Sequence, residues 1–552
     1  MGDNLVYAVR GNTGLFLRRG LGKDSSIVFE DKENPKQTPC EVFAFSNDGQ
    51  YFAFCDSKKT KVINLATGKD VISVDLPRTK CILFSPRDSH VVFFQQYAIY
   101  GNKTSADQKP DPNVRLYNLK EGKHISTLIA TKESTWKPQW SDDESWCLRL
   151  VGSEILFHKN HNYERYESKL VVEKIDSFAL SRGTQNLHVA CFIRGSGSNP
   201  ARVHMRKLND EFTLVANKTF FKADKAELLW NIKGTSCLIV TSVEVDSSNQ
   251  SYYGEQKVFM INVAQDESFM VPLNKNGPVY SVKWNPNCKE FAICYGYMPA
   301  KLTMYNNKGE PIFDAAEGPR NELYYNAFGN ILIACGFGNI AKGKMEFWDV
   351  ENKKEIISID VPNTTQFEWA PDGQHFITAT TTPRLRIDNC YRLWNYSGKL
   401  VSEFTYESPK EELWQVMFRP MSGYNKFQVR ELSKSDKMAA GLLIKRKDVD
   451  HPLNNLPAGA IRQAGAYVPP HLRNKRPGPA APAERNGKPA EAIKPQMTDT
   501  ERKIFNLNKK VQDIVKLKER QTAGDVLLPN QLEKIAKEND LLAEIAALKL
   551  TR

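Results

Sequence analysis

Long apolar runs are missing from this sequence. The longest, such as Val91 to Phe94 and Ile331 to Cys335, fall far short of the ~18 residues that a membrane span needs. The opening stretch MGDNLVYAVRGNTG has no apolar segment behind a basic one, so no secretory signal is expected. The 10 cysteines contain no C-x-x-C pair and lie scattered from Cys40 to Cys390 inside apolar, strand-like runs. That usage excludes zinc modules built on cysteine pairs and reads as buried, reduced thiols of a cytoplasmic protein. The 9 histidines show no H-E-x-x-H, and although His158 and His161 are three apart, no carboxylate or thiol cluster adjoins them in the sequence. No G-x-S-x-G elbow is present, and Asp142-Asp143 reads as a solvated turn. An enzyme is not expected, nor is a metal or cofactor.

Two glycine patterns resemble nucleotide sites and fail on context. Gly336-Phe337-Gly338-Asn339-Ile340-Ala341 matches G-x-G-x-x-A, and Gly338 to Lys344 matches G-x-x-x-x-G-K. Both motifs need a following helix whose N-terminus meets the phosphates. Here Lys344 to Val350 is strand-like, and Met345 stands where a Mg²⁺-holding Ser or Thr belongs. A glycine-rich loop between strands is the expected reading.

What the chain does contain is a repeat. Its 552 residues are 41% hydrophobic and 10% aromatic, enough for a sizeable core. One unit recurs: an alternating apolar run ending in a large side chain, a tight turn, then a second apolar run. It reads VFAFSNDGQYFAFC from Val42, ILFSPRDSHVVFF from Ile82 and FEWAPDGQHFITATT from Phe367. The residues before the turns, Phe45, Phe84, Trp140, Leu180, Trp230, Trp284, Phe328, Trp369 and Phe418, recur about every 47 positions. Asp48-Gly49 and Asp372-Gly373 supply hairpin turns, and Pro86, Pro286, Pro371 and Pro420 fit their first corners. After each hairpin comes a second mark, as in Val62-Ile63-Asn64-Leu65 and Phe347-Trp348-Asp349-Val350. There an Asx side chain bonds its own backbone and opens the next turn. This is the pattern of WD-type β-propeller blades. The fold expected is mainly β: a nine-bladed propeller over 1–425, with seven blades plus an extra β element as the alternative. A strand around Leu5 to Arg10 is expected to pair with the last blade and close the ring, since closure removes sheet edges.

Charge is placed unevenly. The net charge is +12, yet residues 426–520 hold 21 Lys+Arg against 10 Asp+Glu, leaving 1–425 close to neutral. A neutral body with a basic arm suits a polyanionic partner; a merely solubilising tail is the plain alternative. Residues 426–497 are expected to be a flexible basic linker, since 456–496 contain 8 Pro and 4 Gly and few large apolar residues. Within it Tyr467-Val468-Pro469-Pro470-His471-Leu472-Arg473, followed by Lys475 and Arg476, reads as a linear docking motif or a spacer. Over 498–552 an α-helical hairpin is expected. Thr498-x-x-Glu501 caps a helix with Ile504, Leu507, Val511, Ile514 and Leu517 in one stripe, and Asn530-x-x-Glu533 opens a second. Arg502, Lys503, Lys509, Lys510, Lys516, Lys518 and Arg520 surround the first stripe and could lie along an RNA backbone, or simply be solvated. On the propeller, Arg384 and Arg386 share one face if their segment is extended. With Lys342 and Lys344 one blade away they could clamp phosphates, or pair with loop acids such as Asp388.

CGFGNIAKGKMEFWDV, FEWAPDGQHFITATTTPRLRIDNCYRLWNYSG, AYVPPHLRNK and NQLEKIAKENDLLAEIAAL resemble the eukaryotic translation initiation factor 2A family. The PRLRIDN string is also similar to the propeller of one subunit of initiation factor 3. The resemblance to the first family implies a nine-bladed propeller that binds the small ribosomal subunit. It further implies GTP-independent, codon-dependent delivery of initiator Met-tRNA, with mRNA and other initiation factors met through the C-terminal region. A monomer without membrane contact is expected. The competing reading is a scaffold that assembles proteins without touching tRNA.

Overall fold

The computed structural model describes residues 4–441 apart from 32–39, 57, 98–110, 222, 244–254, 264, 266, 339–342, 407 and 409, together with Ile514 and Glu538. The chain divides into two compact units, Met1–Lys447 and Asp448–Arg552. In the second, Ile514 and Glu538 are helical and Ile514 is buried.

Among the described residues of the first unit, nine four-stranded antiparallel sheets follow one another. Blades 1 to 8 occupy 42–74, 79–128, 139–171, 175–220, 225–270, 279–318, 322–360 and 366–405. Blade 9 is composite. Its inner strand Leu413–Phe418 pairs with Val6–Gly11, which continues outward to Gly14–Arg19 and Ser26–Glu30. Three N-terminal strands, not one, therefore complete the ring, in the register Tyr7↔Phe418 and Val9↔Val416. The nine blades thus match the nine repeats. One anchor shifts: blade 7's inner strand ends at Tyr325, and Phe328 sits in the turn that follows.

The second strand of each blade explains the apolar runs. In His90–Gln95, Val91 and Phe93 face blade 1, while Val92 and Phe94 face blade 3. In Ile331–Gly336, Ile331 and Ile333 pack toward blade 8, Leu332 and Ala334 toward blade 6. A strand buried on both faces reads as continuous hydrophobe, not as alternation. Nine such inter-blade cores form a cycle, the last two joining blade 8 to blade 9 and blade 9 to blade 1. All ten cysteines are free, and all but Cys81 are buried.

The inner strands also bond sideways, which gives the anchor residues their physical reason. The indole N–H of Trp230 donates to the Ala179 carbonyl of blade 4 at 3.1 Å, and that of Trp284 to Leu229 of blade 5 at 2.8 Å. Trp369 donates to Tyr324 of blade 7 at 3.3 Å. Gln139 does the same with an amide, donating to Phe178 O at 2.9 Å and accepting from Leu180 N at 2.8 Å. Each bond satisfies backbone that an inner edge strand leaves unpaired. Glu368 accepts from the Phe418 N–H at 3.2 Å across the closing junction.

The hairpins that join the first two strands of each blade share one face with the outer turns. On this hairpin face neighbouring turns are stapled together. Asn285 donates its amide to Gly329 O, and Asn326 to Gly373 O, each at 2.9 Å. Asp88 accepts from Asn47 N at 2.9 Å and Asp48 N at 2.8 Å, and Arg419 Nε reaches Gly49 O at 2.6 Å. The outer turns use the expected Asx bonds: Asn64 Oδ1 accepts from Ala66 N at 2.9 Å, and Asp349 Oδ1 from Glu351 N at 3.0 Å.

Residues 419–441 form a strap across this face at blades 7 and 8. Phe427 accepts from Asn330 Nδ2 at 2.6 Å and packs its ring on Phe328 and Tyr396. Leu432 is buried, a short helix (Lys434–Ala439) starts at a Ser433/Asp436 capping box, and Gly441 N bonds Gly398 O at 2.8 Å. Residues 426–441, expected as the start of a flexible linker, are thus ordered, because Phe427, Val429 and Leu432 give them apolar anchors.

The staples and the closing junction can each be tested. Gly329 and Gly68 share φ +68, but a Cβ on Gly329 would lie 1.9 Å from Asn285 Oδ1, while Gly68 has nothing within 4 Å. G68A should cost about 1 kcal/mol of backbone strain; G329A should cost at least ~1–2 kcal/mol more because it also breaks the inter-blade staple. Equilibrium denaturation of the two variants compares them directly. Burial, only partly offset by the Phe418 N–H, pushes the Glu368 carboxyl up to about 8. The folded state therefore binds more protons than the unfolded one between the ordinary carboxyl range and about 8, so stability falls as pH rises through that window. E368Q keeps the acceptor, should flatten this slope in melting curves, and should stabilise by roughly 1–2 kcal/mol at pH 7.5 after solvent screening is discounted.

Candidate nucleic-acid interface

The opposite face carries the loops between second and third strands and the connections between blades. Here lies the segment 381–389 of blade 8, between His375–Thr380 and Cys390–Asn395. It is not extended, so the condition under which Arg384 and Arg386 would share one strand face is not met. Leu385 N bonds Thr381 O at 3.0 Å, and Asp388 sits at φ 56, so the segment is a compact turn. Its knot is the buried Asn389, whose amide donates to Leu385 O at 2.8 Å. Asn389 Oδ1 accepts from Thr382 Oγ1 at 2.9 Å and from Leu413 N of blade 9 at 2.9 Å. Thr382 N closes the tie to Leu413 O at 2.8 Å. A rigid base thus lifts Arg384, Leu385, Arg386 and Ile387 into solvent, with Ile387 68% exposed.

Neither guanidinium forms an ion pair among the described residues. Arg384 leans toward blade 7: a methyl on Gly338 would lie 3.7 Å from its Nη2, and its charge acts on the Tyr324 phenol. That phenol is pushed up by burial and by its bond to Glu322. Lys344 does not complete a clamp. It pairs with Glu346 at 3.1 Å, and Glu346, buried, also holds the buried Arg320 at 2.7 Å. Two residues apart on one strand, Lys344 and Glu346 share a face, and the carboxylate takes the lysine's charge. Gly343 N bonds Gly336 O at 2.9 Å, so the glycine patterns join two strands. Lys342, Arg473, Lys475, Arg476, Arg502, Lys503, Lys509, Lys510, Lys516, Lys518 and Arg520 lie outside the described residues.

The same face holds a feature that no sequence pattern announces. Between blades 1 and 2 a cleft of about 600 Å³ is lined by Arg78, Lys80 and Arg115, and also by the acids Glu41 and Asp111. Arg115 donates to Gln95 at 2.6 Å and Lys80 to Glu133 at 2.8 Å, whereas Arg78 forms no ion pair among the described residues. These cations come from separate strands and connections, so no linear spacing marks them.

The nine four-stranded sheets closed into a ring define the chain as a β-propeller protein. Residues 218–416 match the family model for eukaryotic translation initiation factor eIF2A. Over 571 residues the chain is 56% identical to eukaryotic translation initiation factor 2A of Caenorhabditis elegans, covering 100% of both. It is 33% identical to the Drosophila melanogaster protein of that name, over 99% of this chain and 98% of the relative. A solved structure described as a crystal structure of the eukaryotic initiation factor superposes with a TM-score of 0.66 at 28% identity, covering 76% of this chain and 99% of that one. A subunit of eukaryotic translation initiation factor 3 from Dictyostelium discoideum is 22% identical over 68% of this chain and 56% of its own. The chain belongs to the eukaryotic translation initiation factor 2A family, and is a translation initiation factor with a nine-bladed β-propeller.

If the 381–389 knot holds the arginines in place, N389A should loosen the loop without unfolding the ring. Loss of the amide's bonds should cost roughly 1–3 kcal/mol. Loop amide exchange should quicken while exchange in the inner strands stays unchanged, as native-state hydrogen exchange would show.

Proposed function

We propose that this protein binds the small ribosomal subunit and promotes GTP-independent, codon-dependent recruitment of initiator Met-tRNA, acting by binding and not by catalysis. The observation that carries the reading is the pair of exposed guanidiniums, Arg384 and Arg386, on a loop tied to blade 9 through Asn389. Arginine forks suit phosphate oxygens, and a rigid base lowers the ordering cost of engaging them. Leu385 and Ile387 beside them can cover a ribose or base face. Arg78 in the cleft between blades 1 and 2 adds a further cation on the same side.

The basic C-terminal region supplies sequence-tolerant contacts to mRNA and ribosomal RNA through Arg473, Lys475, Arg476 and the lysines and arginines of 502–520. The Tyr467 to Arg473 motif and the terminal helices meet other initiation factors. The protein works in the cytoplasm, as a monomer and without a cofactor. The likeness to a subunit of initiation factor 3 favours a second reading, a scaffold that assembles proteins without binding tRNA.

Salt dependence separates the two. Filter binding of initiator tRNA and co-sedimentation with small subunits, measured from low to physiological salt, should show a steep fall for the wild type. R384E/R386E should bind at least about 10-fold more weakly with a shallower slope. Equal binding and equal slope would remove the loop from the interface and favour the scaffold. Deleting 498–552 should weaken RNA association while the propeller's melting stays unchanged.

A further inference from the structure

On the hairpin face three side chains from two blades converge. His90 opens the second strand of blade 2, Glu144 lies in the first hairpin of blade 3, and His161 lies in the outer turn of blade 3. One ligand atom from each falls within 4.8 Å of the others. The His90 and His161 rings face one another with centroids 4.6 Å apart and 34° between planes. His90 Nδ1 is 3.8 Å from Glu144 Oε2, and both side chains are almost wholly buried, at 3% and 2% exposed. We propose that His90, Glu144 and His161 bind a divalent transition-metal ion, zinc fitting best, that clips blade 2 to blade 3.

Several features support a cation here. Glu144 is a buried carboxylate with no lysine or arginine paired to it among the described residues. The nearby Arg87 gives it only a backbone N–H, at 2.6 Å, and turns its own guanidinium to the Asp142 carbonyl at 3.2 Å. A buried carboxylate that faces imidazoles instead of a fixed positive charge can take a metal as its counter-ion. Two imidazoles and one carboxylate are a donor set that zinc accepts, with water completing a tetrahedron. Outer-shell support is also in place. Ser89 Oγ bonds both His90 Nδ1, at 2.8 Å, and Glu144, which orients the two buried ligands. Tyr163 sets its ring edge against His90, with centroids 5.3 Å apart, and its hydroxyl accepts from Trp140 at 3.1 Å.

Glu144 has φ 61 at a hairpin position that is glycine in blades 1, 5, 7 and 8 but Asp88 (φ 57) in blade 2 and Cys288 (φ 60) in blade 6, so the hairpin itself sets this backbone and aims the carboxylate at His90. His161 is exposed, at the solvent side of the two buried ligands.

The test uses the untagged full-length chain, stripped with chelator and titrated with ZnCl₂ against a chromophoric zinc indicator. One zinc per chain is expected, with an X-ray absorption first shell of two nitrogens plus oxygens at roughly 2.0–2.2 Å. H161A, at an exposed turn, should melt like the metal-free wild type and bind zinc at least 10-fold more weakly. E144Q should show the same loss, and zinc should raise the melting temperature of the wild type alone. No retained zinc, or equal affinity in wild type and H161A, would overturn the site.

Discussion

The second strand of each blade packs apolar side chains against a neighbour on both faces, so a blade taken alone would expose two apolar surfaces. The need to cover them propagates around the chain until the last sheet meets the first. The ring closes where Leu413–Phe418 pairs with Val6–Gly11. At the junction Tyr7 is fully buried, edge-on to Tyr391 of blade 8 and to Phe418, with centroids 5.9 and 6.0 Å apart. Opening this one seam would expose the cores on either side of blade 9, a far larger penalty than any single hydrogen bond could offset.

Closure divides the surface into two faces. On the hairpin face adjacent turns approach so closely that Gly49, Gly234 and Gly329 have no room for a Cβ. The strap 419–441 adds a further layer at blades 7 and 8. On the loop face the described ties include those of Thr382 and Asn389 of blade 8 to Leu413 of blade 9. Arg384 and Arg386 stand on this loop, which Asn389 ties to the junction that holds the ring shut. The described part of the strap ends at Gly441, whose N–H bonds Gly398 O on the hairpin face.

Much of the fold was legible because the repeat encodes local physics: an indole or amide to satisfy an inner edge, an Asx to open an outer turn, an apolar run for a strand buried twice. Phe328 takes the place of Tyr325 in the repeat pattern because an aromatic in the turn mimics one at the strand end. The two extra strands of blade 9 were hidden since Gly14–Arg19 and Ser26–Glu30 lack a blade's usual order along the chain. The site was far less legible. Alternation placed Arg384 and Arg386 on one face only by assuming an extended segment, and Asn389 folds it back. Lys344 was offered to a ligand that Glu346 replaces, through a pairing completed by Arg320 at the end of blade 6. His90 and Glu144 meet only because blades 2 and 3 are adjacent, a juxtaposition that no spacing rule along one chain can show.

Hydrogen–deuterium exchange of the full-length chain, free and with small ribosomal subunits, tests most directly whether the loop face is the working face. The account predicts new protection in 381–389 and in the connections flanking Arg78, with the strap 419–441 unchanged. Protection confined to the hairpin face and its strap, with 381–389 exchanging as in the free protein, would contradict it.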